Sequence, residues 1–423
     1  MRSISRRSVA VIGGGPAGLD AAIAAYEAGA LDVVLIERDI RLGGILNQCI
    51  HDGFGLHRFK EALSGPEYAS RCIDRLTDLG VSVMLETIVL DLSPDRRMLL
   101  SRRGALFEME CDSVVLAMGC RERARGALSI PGHRPSGVYT AGAAQNLVNM
   151  ENIMPGRNIV ILGSGDIGLI MARRMTLEGA HVEAVFEIMP YSSGLPRNIQ
   201  QCLVDYEIPL YLSTTVVGIT GMGRLEGVTV ASVDENRIPV RGTERFVPCD
   251  TLLLSVGLIP ENELARSAGV LLDPVTGGPK VDDRCMTSVP GIFSCGNALH
   301  VHDLVDWVSE EASRAGAASA KYASGEPGAS GRAISVVPGS GIRYVLPDRI
   351  GEHASVCGDV SLAFRVASPS RGSVVGIYSG GVRIKEESHS RLHPAEMVWI
   401  RLGCDDIARA YETPDEPLEV RIV

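Results

Sequence analysis

Val9-Ala10-Val11-Ile12-Gly13-Gly14-Gly15-Pro16-Ala17-Gly18 is a short β-branched run that empties into a glycine turn. Behind it, an alanine-rich segment to Ala28 has helical character, and Gly29 can end that helix. Val33-Val34-Leu35-Ile36 then reads as a fully buried strand stopping at Glu37. Gly13 permits the sharp turn, Gly15 lets the backbone reach a pyrophosphate, and Gly18 lets the helix pack tightly on the strand. Pro16 and Ala17 open the helix, whose N-terminus faces the phosphates. Glu37 can hydrogen-bond a ribose hydroxyl, with Arg38 beside it. A lone G-x-G-x-x-G is weak evidence. With both strands and the terminal acid in place, it predicts a nucleotide site.

The device recurs. Asn158 to Leu162 is a strand, Gly163-Ser164-Gly165-Asp166-Ile167-Gly168 the turn, and Leu169 to Leu177 a helix closed by Gly179. His181 to Phe186 is a strand ending at Glu187. From first glycine to acid is 24 positions in both copies, so two dinucleotides are implied.

Composition narrows the class. At 423 residues, 45% apolar and 22% charged, the chain is long enough for two or three domains with their own cores. A net charge of −10 leaves no basic surplus for nucleic acid. The 10 cysteines form no C-x-x-C, which suggests free thiols in a reducing cytosol and a cytoplasmic protein. Ser5-Arg6-Arg7-Ser8 has the look of a twin-arginine export signal, but the apolar run behind it is the first strand of the nucleotide unit. No uncharged stretch approaches the roughly 20 residues of a membrane helix.

Further motifs give the chain a family resemblance. Val114-Val115-Leu116-Ala117-Met118-Gly119 is similar to a strand ending in A-T-G, with Met118 in place of Thr. Leu252 to Gly257, then Pro260 and Asn262, resembles a strand followed by G-x-x-P-x-N. Thr287 to Asn297, ending Cys295-Gly296-Asn297, resembles a second flavin motif that usually ends in Gly-Asp. In this order, with the two turns, the motifs resemble the pyridine nucleotide-disulfide oxidoreductase superfamily over residues 8 to 325. The resemblance implies an α/β fold of two Rossmann-like domains, the second inserted in the first. FAD would sit on the first turn and NAD(H) on the second. The FAD set would be Gly13, Gly15, Pro16, Ala17, Gly18, Glu37, Arg38, Gly44, Ala117, Gly119, Gly296 and Asn297. The NAD(H) set would be Gly163, Gly165, Asp166, Ile167, Gly168, Glu187 and Gly257. In the family, the Asp of Gly-Asp bonds the ribityl chain; Asn297 keeps an acceptor but loses the charge.

The runs Gly119 to Arg123, Ile161 to Arg174, Leu252 to Leu264 and His300 to Asp306 are similar to a narrower group. These are flavoproteins found with a glycerol-3-phosphate dehydrogenase-like protein, with the α subunits of sarcosine, opine and proline dehydrogenases as more distant relatives. A partner redox subunit is implied. The alternatives are a freestanding NADH:acceptor reductase using oxygen or quinone, or a non-catalytic nucleotide-binding assembly subunit. Homo-oligomerisation stays open.

Disulfide reductases of the superfamily need C-x4-C or C-x-x-C. After Gly43-Gly44 the chain has only Cys49, without a partner at the required offset, and the inserted domain has Cys202 and Cys249 apart. Cys49 is thus a single redox cysteine or a small buried apolar residue. Cys357 and Cys404 alone cannot hold an iron–sulfur cluster. His51, His300, His302 and Asp303 are candidates near the flavin ring, with His300 and His302 the catalytic choices. His300-Val301-His302-Asp303 reads as flavin-proximal, as structural, or as a metal set, and no metal is assigned. Glu310 and Glu311 are expected to begin an alanine-rich helix aimed at the flavin.

The expected domains are 1–120 with 250–328 for FAD, 121–249 for NAD(H), and a small all-β domain over 332–423. Ser324 to Gly331 reads as a linker. The last domain suits partner docking, self-association or a lid over the core.

Overall fold

The computed structural model describes residues 5–326, 332–352, 354 and 359–423. The chain forms two compact units, Met1–Cys120 with Pro260–Val423, and Arg121–Ile259. Each contains a sheet with a parallel core and a glycine turn at the end of one of the parallel strands; in the first unit Arg97–Arg102 and Thr87–Leu92 extend the sheet antiparallel.

In the first unit the strand order is Ser82–Met84, Val33–Ile36, Ser5–Ile12, Ala105–Leu116, Arg97–Arg102 and Thr87–Leu92, with Ile292–Ser294 also on Ala105–Leu116. The strands around Ser5–Ile12 are parallel and buried on both faces, so Val9-Ala10-Val11-Ile12 and Val33-Val34-Leu35-Ile36 are continuous apolar runs. Helices Pro16–Glu27 and Val305–Ala323 pack against each other nearly backbone to backbone. A Cβ on Gly316 would lie 2.1 Å from the Ala21 carbonyl oxygen, so only glycine fits this crossing. Arg6 and Arg7 lie within the first strand and pair with Asp112 at 2.8 Å and Asp32 at 2.7 Å. No helix among the described residues is long and apolar enough to cross a membrane.

The second unit carries parallel strands Leu210–Tyr211, His181–Phe186, Asn158–Leu162, Thr251–Leu254 and Val138–Thr140, with a separate antiparallel sheet of Thr214–Thr220, Gly227–Ser232 and Arg245–Pro248. This moves a boundary. The expected return to the first domain at residue 250 fails because Thr251–Leu254 hydrogen-bonds between two strands of the second unit, and the return comes at Pro260.

The C-terminal region belongs to the first unit and is not all-β. It has a five-stranded sheet of Arg349–Gly351, Ala333–Pro338, Leu418–Ile422, Ser370–Ser379 and Val382–Leu392, and a three-stranded sheet of Ile342–Leu346, Val360–Val366 and Val398–Leu402. Cys404–Ala410 is a helix, started where Asp406 accepts from the Gly403 N–H at 3.2 Å and anchored by buried Ile407 and Ala410. The helical period is too short there to show against the alternating strands around it. The expected linker ends the long helix at Ser324, and its 327–331 portion lies outside the described residues.

Arg365 ties this region to the segment behind the second flavin-like motif. It pairs with Asp303, and donates to the Val301 carbonyl at 3.1 Å, the Pro394 carbonyl at 3.1 Å and the Tyr344 hydroxyl at 3.2 Å. Met397 N–H donates to the other Asp303 oxygen. Arg365→Met would leave the enclosed Asp303 carboxylate without its cation. The expected cost is about 3 kcal/mol of unfolding free energy, read by denaturant titration of tryptophan fluorescence. A loss below about 1 kcal/mol, the range of an exposed pair, would show that the clamp is slack.

Candidate dinucleotide sites

At the first turn, Gly13 has φ +108° and donates to the Ile36 carbonyl at 2.8 Å. A Cβ on Gly13 would sit 2.4 Å from the Ala117 carbonyl oxygen, and one on Gly18 would sit 1.7 Å from that of Gly13. Both glycines are demanded by the protein itself. Gly15 is different: its φ is −77°, and a Cβ there meets only Gly44 Cα, at 3.9 Å. It is the N-cap of a helix with Pro16 in its first turn, no side-chain cap and no acid in that turn. A bare helix N-terminus beside a glycine the fold does not require fits a pyrophosphate.

The surrounding residues converge on this turn. Gly44, at φ +53°, faces Gly15, and Gly296 packs on Ala17, where a Cβ would come within 2.7 Å of the alanine methyl. Ala117 N–H donates to the Ile12 carbonyl at 2.9 Å, and the Gly119 carbonyl accepts from Glu261 at 3.0 Å. Arg38 is exposed next to Glu37. The Asn297 oxygen accepts from His302 N–H at 3.0 Å, so part of its acceptor capacity is spent inside the protein.

The second turn repeats the geometry 150 positions later. Gly163 has φ +99°, and a Cβ on it would lie 2.0 Å from the Ser255 carbonyl oxygen; one on Gly168 would lie 2.6 Å from that of Gly163. Gly165 is again the roomier position, with nothing nearer than 3.7 Å. The repeat extends to the acids. Glu37 accepts from Gly14 N–H at 2.6 Å and Asp39 N–H at 2.8 Å, and Glu187 accepts from Ser164 N–H at 2.9 Å and Met189 N–H at 3.0 Å. Each carboxylate is thus clamped by the turn and by its own loop, which fixes where its remaining lone pairs point. Asp166 accepts from Leu195 N–H at 2.8 Å and Asn198 at 2.7 Å, so it holds the loop after Glu187. Ile167 is half-buried beside it, and Gly257 sits at φ +101° with open space at its Cβ position.

Residues 7–321 match the pyridine nucleotide-disulphide oxidoreductase family. The chain belongs to that family. It is an FAD-dependent, NAD(P)H-linked oxidoreductase. Among similar proteins, a dihydrolipoyl dehydrogenase of Pseudomonas aeruginosa is 27% identical over 70% of this chain and 67% of its own length. A component of the opine oxidase of Rhizobium meliloti is 26% identical over 68% of this chain and 58% of its own. In fold, the chain is similar to T. acidophilum thioredoxin reductase, with a TM-score of 0.62, 21% identity, and coverage of 76% of this chain and 99% of that one.

This oxidoreductase has no sulfur pair at the position family disulfides occupy after Gly43-Gly44. The cysteines of the described residues are all free thiols. Cys49 donates to the Ile45 carbonyl at 3.3 Å, and burial pushes its thiol up to about 12, so it holds its proton at neutral pH. Cys49→Ser is expected to leave NADH-dependent flavin reduction within about twofold, since a proton-bearing thiol gives no thiolate to a relay. An anaerobic reductive titration should then consume two electrons per FAD, and a four-electron endpoint would reinstate a thiol partner.

The His300 and His302 side chains are 0% and 2% exposed, enclosed by the protein's own atoms. They turn inward to Glu311, whose Oε2 stands 2.9 Å from His300 Nε2 and 3.4 Å from His302 Nε2. Burial raises the Glu311 carboxyl, but the two imidazoles outweigh it and hold the group below the usual carboxylate range. Burial also drops His300 to about 4. The helix carrying Glu311 begins at Val305, so Glu311 lies well inside it and Glu310 points outward. Glu311 Oε1 accepts from Gly296 N–H at 2.7 Å, which links this cluster to the flavin-like motif. His51 packs against Phe54, with ring centroids 5.0 Å apart and planes tilted by 37°. The sequence shows Glu311 only as one of two adjacent acids. Its inward face follows from burial of Val308, Ala312 and Ala315 on the same helix.

Proposed function

We propose that the chain passes electrons between NAD(H) held at the second turn and a redox centre on a partner subunit, through FAD held at the first, so that electrons from a substrate oxidised at the partner leave as NADH. The observation that carries this is the pair of roomy glycines, Gly15 and Gly165. Each stands at an uncapped helix N-terminus, beside two glycines that the fold demands for itself. FAD supplies the two-electron chemistry when bound.

The chain's own residues bind and orient. Gly13, Gly15, Gly18 and Gly44 shape the pyrophosphate contact, while Glu37 and Glu187 take ribose hydroxyls with carboxylates fixed by two backbone donors each. Ala117, Gly119, Gly296 and Asn297 bring the flavin-side loops to the turn. No general base is needed for a hydride to pass between cofactors, because positioning is the main requirement. The likeness to an opine oxidase component supports a role within a complex, with a small organic substrate such as glycerol 3-phosphate or an amino-acid derivative oxidised elsewhere in it.

The test is anaerobic stopped-flow mixing of the purified flavoprotein with NADH, then turnover with oxygen, quinone or a glycerol-3-phosphate dehydrogenase-like protein from the same organism. The expected outcome is rapid flavin reduction, slow oxygen or quinone turnover, and a stable complex with that dehydrogenase-like protein. Flavin that NADH cannot reduce would point to a non-catalytic role in assembly. Fast turnover with a small acceptor alone would make it a freestanding reductase.

A further inference from the structure

We propose that His300, His302 and Glu311 bind one divalent transition-metal ion of the zinc class, cross-linking the segment after Gly296 to the helix Val305–Ala323. These three residues are a group whose ligand atoms all lie within 4.8 Å of one another. Ligands held 2.0–2.1 Å from a tetrahedral ion stand about 3.3 Å apart. Glu311 Oε2 is 3.4 Å from His302 Nε2, which matches that spacing, and 2.9 Å from His300 Nε2, a hydrogen bond that would open by a few tenths of an ångström around an ion.

The tautomer of His302 fits as well, whereas His300 would exchange its Nε2 hydrogen bond to Glu311 for the ion. His302 Nδ1 lies 3.0 Å from the His300 carbonyl oxygen, which can only accept, so Nδ1 carries the proton and Nε2 presents a lone pair. A backbone carbonyl behind the distal nitrogen is the usual way a ligating imidazole is oriented. That Nε2 atom is buried and makes no hydrogen bond.

The side chains of the group are enclosed by protein, so a partner for His302 Nε2 is of the size of an ion or a water, not of a ring or a substrate. Two imidazoles and one carboxylate suit zinc, iron(II) or nickel(II) better than calcium or magnesium, which take oxygen ligands. The ion's remaining position would take a water. Since Glu311 Oε1 also accepts from Gly296 N–H, the ion would stiffen the loop that packs on Ala17. Its role is structural, and its absence would loosen flavin retention without touching the nicotinamide unit.

Elemental analysis of untagged flavoprotein purified without chelator comes first. It is followed by equilibrium dialysis of chelator-treated protein against zinc chloride or cobalt(II) chloride. About one equivalent per chain is expected, with a dissociation constant below about 1 µM. Cobalt(II) should add absorption bands at wavelengths beyond those of the flavin. His302→Ala should weaken binding at least tenfold while keeping a folded, flavin-containing protein, and His181→Ala, on the surface beside Glu183, should not. If Glu311→Gln fails to fold, His302→Ala still decides. No retained metal, or binding unchanged in His302→Ala, overturns the proposal and leaves the cluster closed round a proton or a water.

Discussion

Gly15→Val is expected to yield a folded protein that is colourless. The backbone at this position is extended, φ −77° and ψ −174°, which valine adopts without strain. A Cβ there meets nothing nearer than 3.9 Å, so the chain itself loses little stability. What the side chain would block is the approach of a pyrophosphate to the N-terminus of Pro16–Glu27, where backbone N–H groups are the intended donors. FAD content should therefore fall more than tenfold, which is over about 1.4 kcal/mol of lost binding, with the unfolding midpoint of the apoprotein nearly unchanged. Gly18→Ala is the informative contrast. Its Cβ would overlap the Gly13 carbonyl at 1.7 Å, so it should damage the fold and lose FAD together. Absorbance at the flavin band and circular dichroism on both variants separate the two roles. Full FAD occupancy in Gly15→Val would remove the first turn from the flavin site.

The two variants show why the glycine turns were readable from the sequence. A turn that needs positive φ, a carbonyl in contact with a helix backbone, and an acid at a fixed distance each restrict residue type at one position. Together they restrict the whole unit. The second copy repeats the same constraints, down to the donors that hold Glu37 and Glu187. The boundary near residue 250 was not readable, because an apolar strand such as Thr251–Leu254 suits either sheet, and only its neighbours decide. The direction of the histidines was hidden for a related reason. His300 and His302 alternate on an extended piece, so one or both could face outward. Their inward turn depends on Glu311, on Tyr344 and on the Arg365–Asp303 pair, all distant in sequence or on a helix face that must first be buried. The C-terminal helix Cys404–Ala410 is two turns long, and its pattern is no clearer than that of the strands beside it.

Wild-type protein is expected to be reduced faster by NADH than by NADPH, and Glu187 to be the reason. Its carboxylate is buried at 5% exposure and held by Ser164 N–H at 2.9 Å, Ser164 hydroxyl at 2.6 Å and Met189 N–H at 3.0 Å. All of these are neutral donors, and the loop Ile188-Met189-Pro190-Tyr191 contains no cation to receive a 2′-phosphate. Arg197 is exposed on the helix Pro196–Cys202, and the loop before it is pinned by Asp166 to Leu195 and Asn198. A fixed negative charge facing a 2′-hydroxyl favours NADH. The same charge beside a phosphate is repulsive, and a preference of about tenfold to a hundredfold corresponds to roughly 1.4–2.7 kcal/mol. Glu187→Gln keeps the shape and removes the charge, but turns one end of the side chain into a donor opposing a backbone donor. The efficiency with NADH should drop at least tenfold, mainly through KM, while that with NADPH rises as the repulsion is removed, so selectivity collapses. FAD content should stay at the wild-type level, because Glu187 belongs to the second unit and Glu37 to the first. Faster reduction by NADPH at equal concentration in the wild type would mean that an arginine, with Arg197 the first candidate, reaches the ribose and that Glu187 serves only to hold its loop.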